Sequence, residues 1–159
     1  MVVMEIVPVK NGTRGTRGGK AMMWAMKVLR RRLINSHRKQ GDKFRGMDVL
    51  YLTAIGAKSG EPRTTALAYF RDGDGWLVIA SAGGSARNPA WYYNIAKHPD
   101  RVTIEVGGTK IPVVAEQLTG ERRAEVWAKV AGEHTGFAGY QAKTDREIPV
   151  IRLTRSPGS

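Results

Sequence analysis

The sequence predicts an α+β domain, mainly β: a small antiparallel barrel with helices packed outside it. Apolar residues recur with a period of two in six short runs from Met47 onward. Two of the gaps between runs, Asp72-Gly73-Asp74-Gly75 and Gly107-Gly108, have the composition of hairpin turns. The chain has 159 residues, 42% of them hydrophobic, which suits one domain with a substantial core and leaves no material for a second.

Taken in order, residues 1–20 form a basic N-terminal segment whose stretch from Lys10 to Lys20 has the composition of a flexible linker. Residues 21–39 follow as a basic amphipathic helix, with its helical pattern strongest from Ala21 to Asn35. Met22, Met26, Leu29 and Leu33 fall on one stripe, flanked by Lys27, Arg30, Arg31 and Arg32. That stripe can pack on the domain's own core or lie, with Trp24, at an anionic membrane surface. The barrel domain spans residues 40–159. Met47 to Ile55 reads as a strand, and Thr64 to Phe70 with Trp76 to Ser81 as a hairpin. Asn88-Pro89 has the form of an N-cap followed by proline at the first helical position, opening a helix to Lys97 that stops before Pro99. Arg101 to Val106 and Thr109 to Leu118 form a second hairpin. Thr119 caps a helix to about Gly132, a short irregular or helical segment follows, and Ile148 to Thr154 is the closing strand.

The formal charge of +12 is unevenly spread: residues 1–48 hold twelve Lys/Arg against three Asp/Glu, so the barrel itself is close to balanced. Excess charge confined to a linker and one helix argues against a nucleic-acid-binding barrel, because the strands do not alternate aromatic and basic residues as a stacking platform does. There is no cysteine, which excludes disulfides and thiolate chemistry. No apolar run approaches a membrane span, and the first nine residues lack the basic start of a signal peptide. A cytoplasmic protein is expected, with peripheral contact on the inner face of the plasma membrane through residues 21–39 as the additional location.

Chemistry concentrates in two glycine-rich cationic loops. Gly56-Ala57-Lys58-Ser59-Gly60-Glu61-Pro62-Arg63 lacks P-loop spacing, yet its small residues and cations suit an anion. Ser81-Ala82-Gly83-Gly84-Ser85-Ala86-Arg87-Asn88 runs into a helix start, where backbone donors and the helix dipole favour a phosphate. Trp91 and Asn94 share a helix face one turn away: they can meet a flat ring, or Trp91 can simply be core. His134, Phe137 and Tyr140, at near-helical spacing, can wall a substrate pocket or pack on the barrel. His37, His98 and His134 have no ligand-like neighbours at metal spacing, so no metal is expected. A phosphorylated cofactor is the natural occupant of the two loops.

Four segments, in order and in register over residues 45–153, resemble the deazaflavin-dependent nitroreductase family of actinobacteria. They are Gly56-x-Lys58-Ser59-Gly60-x-Pro62-Arg63, Ala80-Ser81-x-Gly83-Gly84, Asn88-Pro89-x-Trp91-Tyr92-x-Asn94 and Thr144-Asp145-Arg146-x-Ile148-Pro149. Members are split-β-barrel oxidoreductases, related to flavin-reductase and FMN-binding barrels, that use coenzyme F420, an 8-hydroxy-5-deazaflavin. The resemblance implies that Lys58, Ser59, Gly60, Pro62 and Arg63 bind the coenzyme's phosphate and acidic tail, with Thr65 in the same set. It implies that Ala80, Ser81, Ala82, Gly83, Gly84, Ala86, Arg87 and Asn88 line the deazaflavin and ribityl phosphate, and that Trp91 and Asn94 stand nearby. His134, Phe137 and Tyr140 fall where members place substrate-facing tyrosines. The chain departs from many relatives at Ala57, Ala66 and Ala82, where they carry Arg, Pro and Lys.

The function this implies is a reductase that takes hydride from a dissociable F420 to a small electrophilic acceptor: an enone or other activated alkene, a quinone or a nitro compound. Tyr140 is the expected proton donor or acceptor-orienting group. The alternatives are an FMN- or haem-binding split barrel and, behind it, a basic nucleic-acid-binding barrel. The oligomeric state has no signal in the sequence.

Overall fold

The computed structural model describes residues 5–16, 43–44 and 47–157. The helix and lipid contact expected over residues 21–39 lie outside them. Seven strands run in chain order: β1 (Lys43–Phe44), β2 (Met47–Ile55), β3 (Pro62–Asp72), β4 (Gly75–Ile79), β5 (Val102–Val106), β6 (Thr109–Gln117) and β7 (Val150–Arg155). The helices are α1 (Ala90–Lys97), α2 (Gly120–Glu133) and α3 (Thr135–Lys143), with a 3-10 turn at Ala82–Gly84.

The order β2-β3-β4-β7-β6-β5 closes through a β2–β5 pairing, with every partner antiparallel. The result is a six-stranded barrel, to which β1 adds beside β2. All six runs from Met47 onward become strands. The first hairpin is longer than its apolar pattern because Pro62 is tolerated as a first strand residue and pairing continues to Asp72 opposite Gly75. That leaves a two-residue turn with positive φ at Gly73 only, as a type II′ turn requires. The second hairpin turns on Gly107 and Gly108, both at positive φ, which is the type I′ pattern.

Alternation decides the layers. Leu50, Leu52 and Ala54 of β2 point into the barrel with Trp76, Val78, Ile104, Val113, Ile151 and Leu153. β4 does not alternate in sequence because both of its faces are covered. Leu77 and Ile79 lie under α2 and α3 with Val130, Phe137, Ile148 and Val150. The segment left open between α2 and β7 is helical over α3.

Two local expectations differ from the structure. Pro89, not Asn88, occupies the N-cap position of α1, and the Asn88 side chain is turned away to Val9 and Arg146. The supposed linker, as far as Thr16, is a strap seated on the barrel. Ile6 is 3% exposed in the core, Val9 N–H donates to Tyr92 Oη at 2.8 Å, and Gln117 Nε2 donates to Val7 O at 3.1 Å. Partners lying 77 to 132 residues away, Asn88 and Asp145 among them, hold a stretch whose composition alone reads as flexible.

Candidate active site

β3 begins and β4 ends at the same rim of the barrel, because they are antiparallel neighbours. Each rim end carries one of the glycine-rich loops. The first, residues 56–61, is closed by Gly56 N–H to Glu61 O at 2.8 Å and Gly60 N–H to Gly56 O at 2.9 Å, with Gly60 at φ 72. α1 props it from behind. Buried Asn94 accepts from Ala57 N–H at 2.9 Å, and Lys97 Nζ donates to Ala57 O at 2.8 Å. Asn94 therefore shapes the loop through its side-chain oxygen. The backbone N–H groups of Lys58 and Ser59, and the exposed cations of Lys58 and Arg63, have no partner among the described residues. Thr65 follows on β3, opposite Leu52.

The second loop is donor-rich by construction. Every backbone carbonyl from Ala80 to Ala86 accepts a hydrogen bond. Arg146 takes those of Ala80, Ser81 and Ser85; Ser85 N–H takes Ala82 O; Thr16 takes Gly83 O and Gly84 O; Gly12 N–H takes Ala86 O. The N–H groups of Ser81, Ala82 and Gly83 have no partner among the described residues. Ala82 (φ 46), Gly83 (φ 63) and Gly84 (φ 83) are successively left-handed, and Ala82 is the only non-glycine residue at positive φ among the described residues. A turn with its carbonyls tied down and its amides free is an anion cradle. Arg87 is exposed beside it, and Trp91 is half-buried against the barrel core.

Arg146 is the site residue that motif reading left without a role. It is 2% exposed, and its guanidinium donates to Ser85 O at 2.8 Å, Ala80 O at 3.1 Å, Ser81 O at 2.7 Å and Asn88 Oδ1 at 2.9 Å. Burial pushes its pKa down from the usual arginine value, opposed by the phenols of Tyr93 and Tyr92. Its neighbour Asp145 faces outward and accepts from Thr13 Oγ1, Thr13 N–H and Arg14 N–H, which hold its carboxyl at about 2. The available signal was the alternation from Thr144 to Ile148, in which Arg146 falls in step with buried Thr144 and Ile148 while Asp145 and Glu147 face outward.

α3 walls the second loop. A Cβ on Gly84 would lie 2.9 Å from Tyr140 O, so glycine permits direct backbone contact there. Along α3 the rings of Tyr140, Phe137, Phe70 and His134 form a continuous series, with centroid separations of 6.0, 5.7 and 5.1 Å. His134 opens the helix about 9 Å from Tyr140 along its axis and borders a cavity of about 220 Å³ lined also by Met47, Phe70, Leu77 and Val130. The Tyr140 hydroxyl has no hydrogen-bond partner among the described residues, and Lys143 Nζ stands 5.9 Å from its ring centroid. Of the expected residues, the structure joins Tyr140 to the second loop and Asn94 to the first. His134 lies at the far end of the aromatic series.

Two glycine-rich loops at one rim do not by themselves name a cofactor, so sequence kinship decides. The profile of the F420H(2)-dependent quinone reductase family matches residues 24–155. The chain belongs to that family. An F420H(2)-dependent quinone reductase of Mycobacterium tuberculosis is 43% identical over 109 residues, 67% of this chain and 72% of that one. A solved F420H2-dependent reductase, FDR-A, superposes with a TM-score of 0.59 at 34% identity, covering 66% of this chain and 92% of the other. The haem storage protein HutZ of Vibrio cholerae, at 16% identity and a TM-score of 0.54, shares the fold alone. This family member is thus an F420H2-dependent oxidoreductase, and its cofactor is coenzyme F420. The residues fit such a group: two loops with surplus N–H donors and cations at one rim suit a phosphorylated, acidic coenzyme.

Proposed function

We propose that this protein reduces a quinone at the expense of F420H2. The observation that carries the reading is the second loop, with its carbonyls all satisfied and its amides at 81–83 without a partner among the described residues, packed directly against α3 at Tyr140 and Lys143. The bound coenzyme supplies the hydride; binding, orientation and proton delivery fall to the chain. Lys58, Arg63 and the amides of Lys58 and Ser59 hold the phosphate and acidic tail, with Ser59, Gly60, Pro62 and Thr65 shaping that end. Ser81 to Gly84, Ala86 to Asn88, Trp91 and Asn94 position the ring system. The rings of Phe137 and Tyr140 orient a flat acceptor, and Tyr140 Oη gives or orients the proton that follows the hydride.

The rings of Phe70, Phe137 and Tyr140 are in mutual contact and offer an apolar aromatic surface suited to one flat ring. The family's name and those of its relatives point the same way. In an anaerobic assay following F420H2 oxidation, a quinone should give a kcat/KM at least tenfold above a cyclic enone and a nitroaromatic. A faster enone or nitro compound would overturn the quinone assignment. Residues 21–39, basic and amphipathic in sequence, would dock the protein on anionic lipid, where quinones reside. Flotation with anionic vesicles should be lost when these residues are deleted, and unchanged flotation would refute the docking.

A further inference from the structure

The second loop carries alanine, not a cation, at position 82, yet a buried positive charge lies directly beneath it. Among the described residues Arg146 makes hydrogen bonds to neutral oxygens only: three backbone carbonyls and the Asn88 amide. Asp145, the adjacent carboxylate, is bonded to the strap, and Glu147 is ion-paired with Arg123 at 3.1 Å. The remaining groups that act on the guanidinium are the phenols of Tyr92 and Tyr93, whose hydroxyls donate to the neutral side-chain amides of Gln117 and Asn11. Arginine does not shed its proton, so the charge persists. An unpaired buried cation is costly, and neutral donors could have tied the same carbonyls without it.

We propose that Arg146 is the charge of the second loop: its uncompensated guanidinium draws the anionic coenzyme onto the amides of Ser81, Ala82 and Gly83, and the bound anion balances that charge across the loop. Three of the loop's carbonyls point to Arg146 and the others to Ser85, Thr16 and Gly12, so among the described residues no carboxylate is interposed between the guanidinium and a ligand on the amide side. Arg146 is thus a positioning residue that acts through the loop. This rests on the assignment of F420 to the two loops, and wild-type titration with F420 tests that assignment separately.

The test compares Arg146→Lys with Arg146→Gln. Both lose the four-bond fan, and only Lys retains the charge. Affinity for oxidised F420 is read by fluorescence at low salt, beside the deazaflavin alcohol lacking phosphate and acidic tail. The glutamine variant should bind F420 about tenfold more weakly than the lysine variant, the scale of one charge about 10 Å away at an effective dielectric near 20. The slope of affinity against salt should also be shallower in Arg146→Gln. A parallel loss with the truncated probe means that the charge serves the ring; a loss confined to F420 means that it serves the phosphate. Equal affinities for Lys and Gln overturn the proposal. If neither variant folds, Asn88→Asp keeps the acceptor for Arg146 while cancelling its charge. It should bind F420 more weakly than Asn88→Ala, and equal or tighter binding by Asn88→Asp has the same overturning force.

Discussion

Gly83 and Gly84 are adjacent, both left-handed, and should respond very differently to a methyl group. At Gly83 (φ 63) no atom lies within 4 Å of a built Cβ, so Gly83→Ala meets only the backbone cost of a left-handed alanine, about 1 kcal/mol. At Gly84 (φ 83) the Cβ would stand 2.9 Å from Tyr140 O, 3.1 Å from Lys143 Cβ and 3.3 Å from Tyr140 Cα. Backbone cannot rotate aside as a flexible side chain can, so the loop or α3 must shift, adding ~1–3 kcal/mol of overpacking. Gly84→Ala should therefore cost ~2–4 kcal/mol, and melt about 3–10 °C below Gly83→Ala in a domain this size. Urea unfolding and thermal melts measure the difference. Because the displaced element carries Tyr140, turnover at saturating coenzyme should fall in Gly84→Ala more than in Gly83→Ala. If the two variants are equally stable, the close approach of the loop to α3 is wrong, and with it the placement of the aromatic wall.

Three further outcomes are expected. Lys58→Ala and Arg63→Ala should each weaken F420 binding about tenfold, the worth of a charge-assisted hydrogen bond of ~1.5–3 kcal/mol partly screened by solvent, while kcat at saturation changes far less; unchanged binding removes that residue from the site. Tyr140→Phe should lower kcat with little effect on coenzyme affinity, and the loss should diminish as buffer acid rises if solvent can deliver the proton. Asp145 is held at about 2, below the usual 3.8, by Thr13 Oγ1 and the Arg14 and Thr13 amides. A depressed carboxylate pKa gives stability that is present above about 3.8 and lost as pH falls towards 2. Hydrogen-exchange protection of residues 12–16 should collapse across that window in the wild type and already be low at neutral pH in Asp145→Ala; pH-independent protection would sever the strap from Asp145.

Much of the barrel was legible because its signals are local. The Gly73 and Gly107-Gly108 turns and the helix stop before Pro99 each act within a few residues. Both glycine loops announce themselves the same way, since backbone that must take positive φ needs small residues in place. The misread parts depend on partners far away in the chain. Asn88 resembles a helix cap, but Val9 and Arg146 compete for its amide more effectively than the helix end does. Lys10 to Thr16 resembles a linker, but Asn88, Asp145 and the loop carbonyls supply it with hydrogen bonds.

The sequence by itself determined the six barrel strands, the turn chemistry, the two glycine-rich loops and the kinship that names the coenzyme, because composition and spacing encode what neighbouring residues can do. Only tertiary structure decided that the loops share a rim, that their carbonyls are tied back so that amides remain free, and that a buried arginine lies under the second. Those facts depend on hydrogen bonds spanning about 60 to 130 residues, and no local pattern records where a donor will find its acceptor once the barrel has closed.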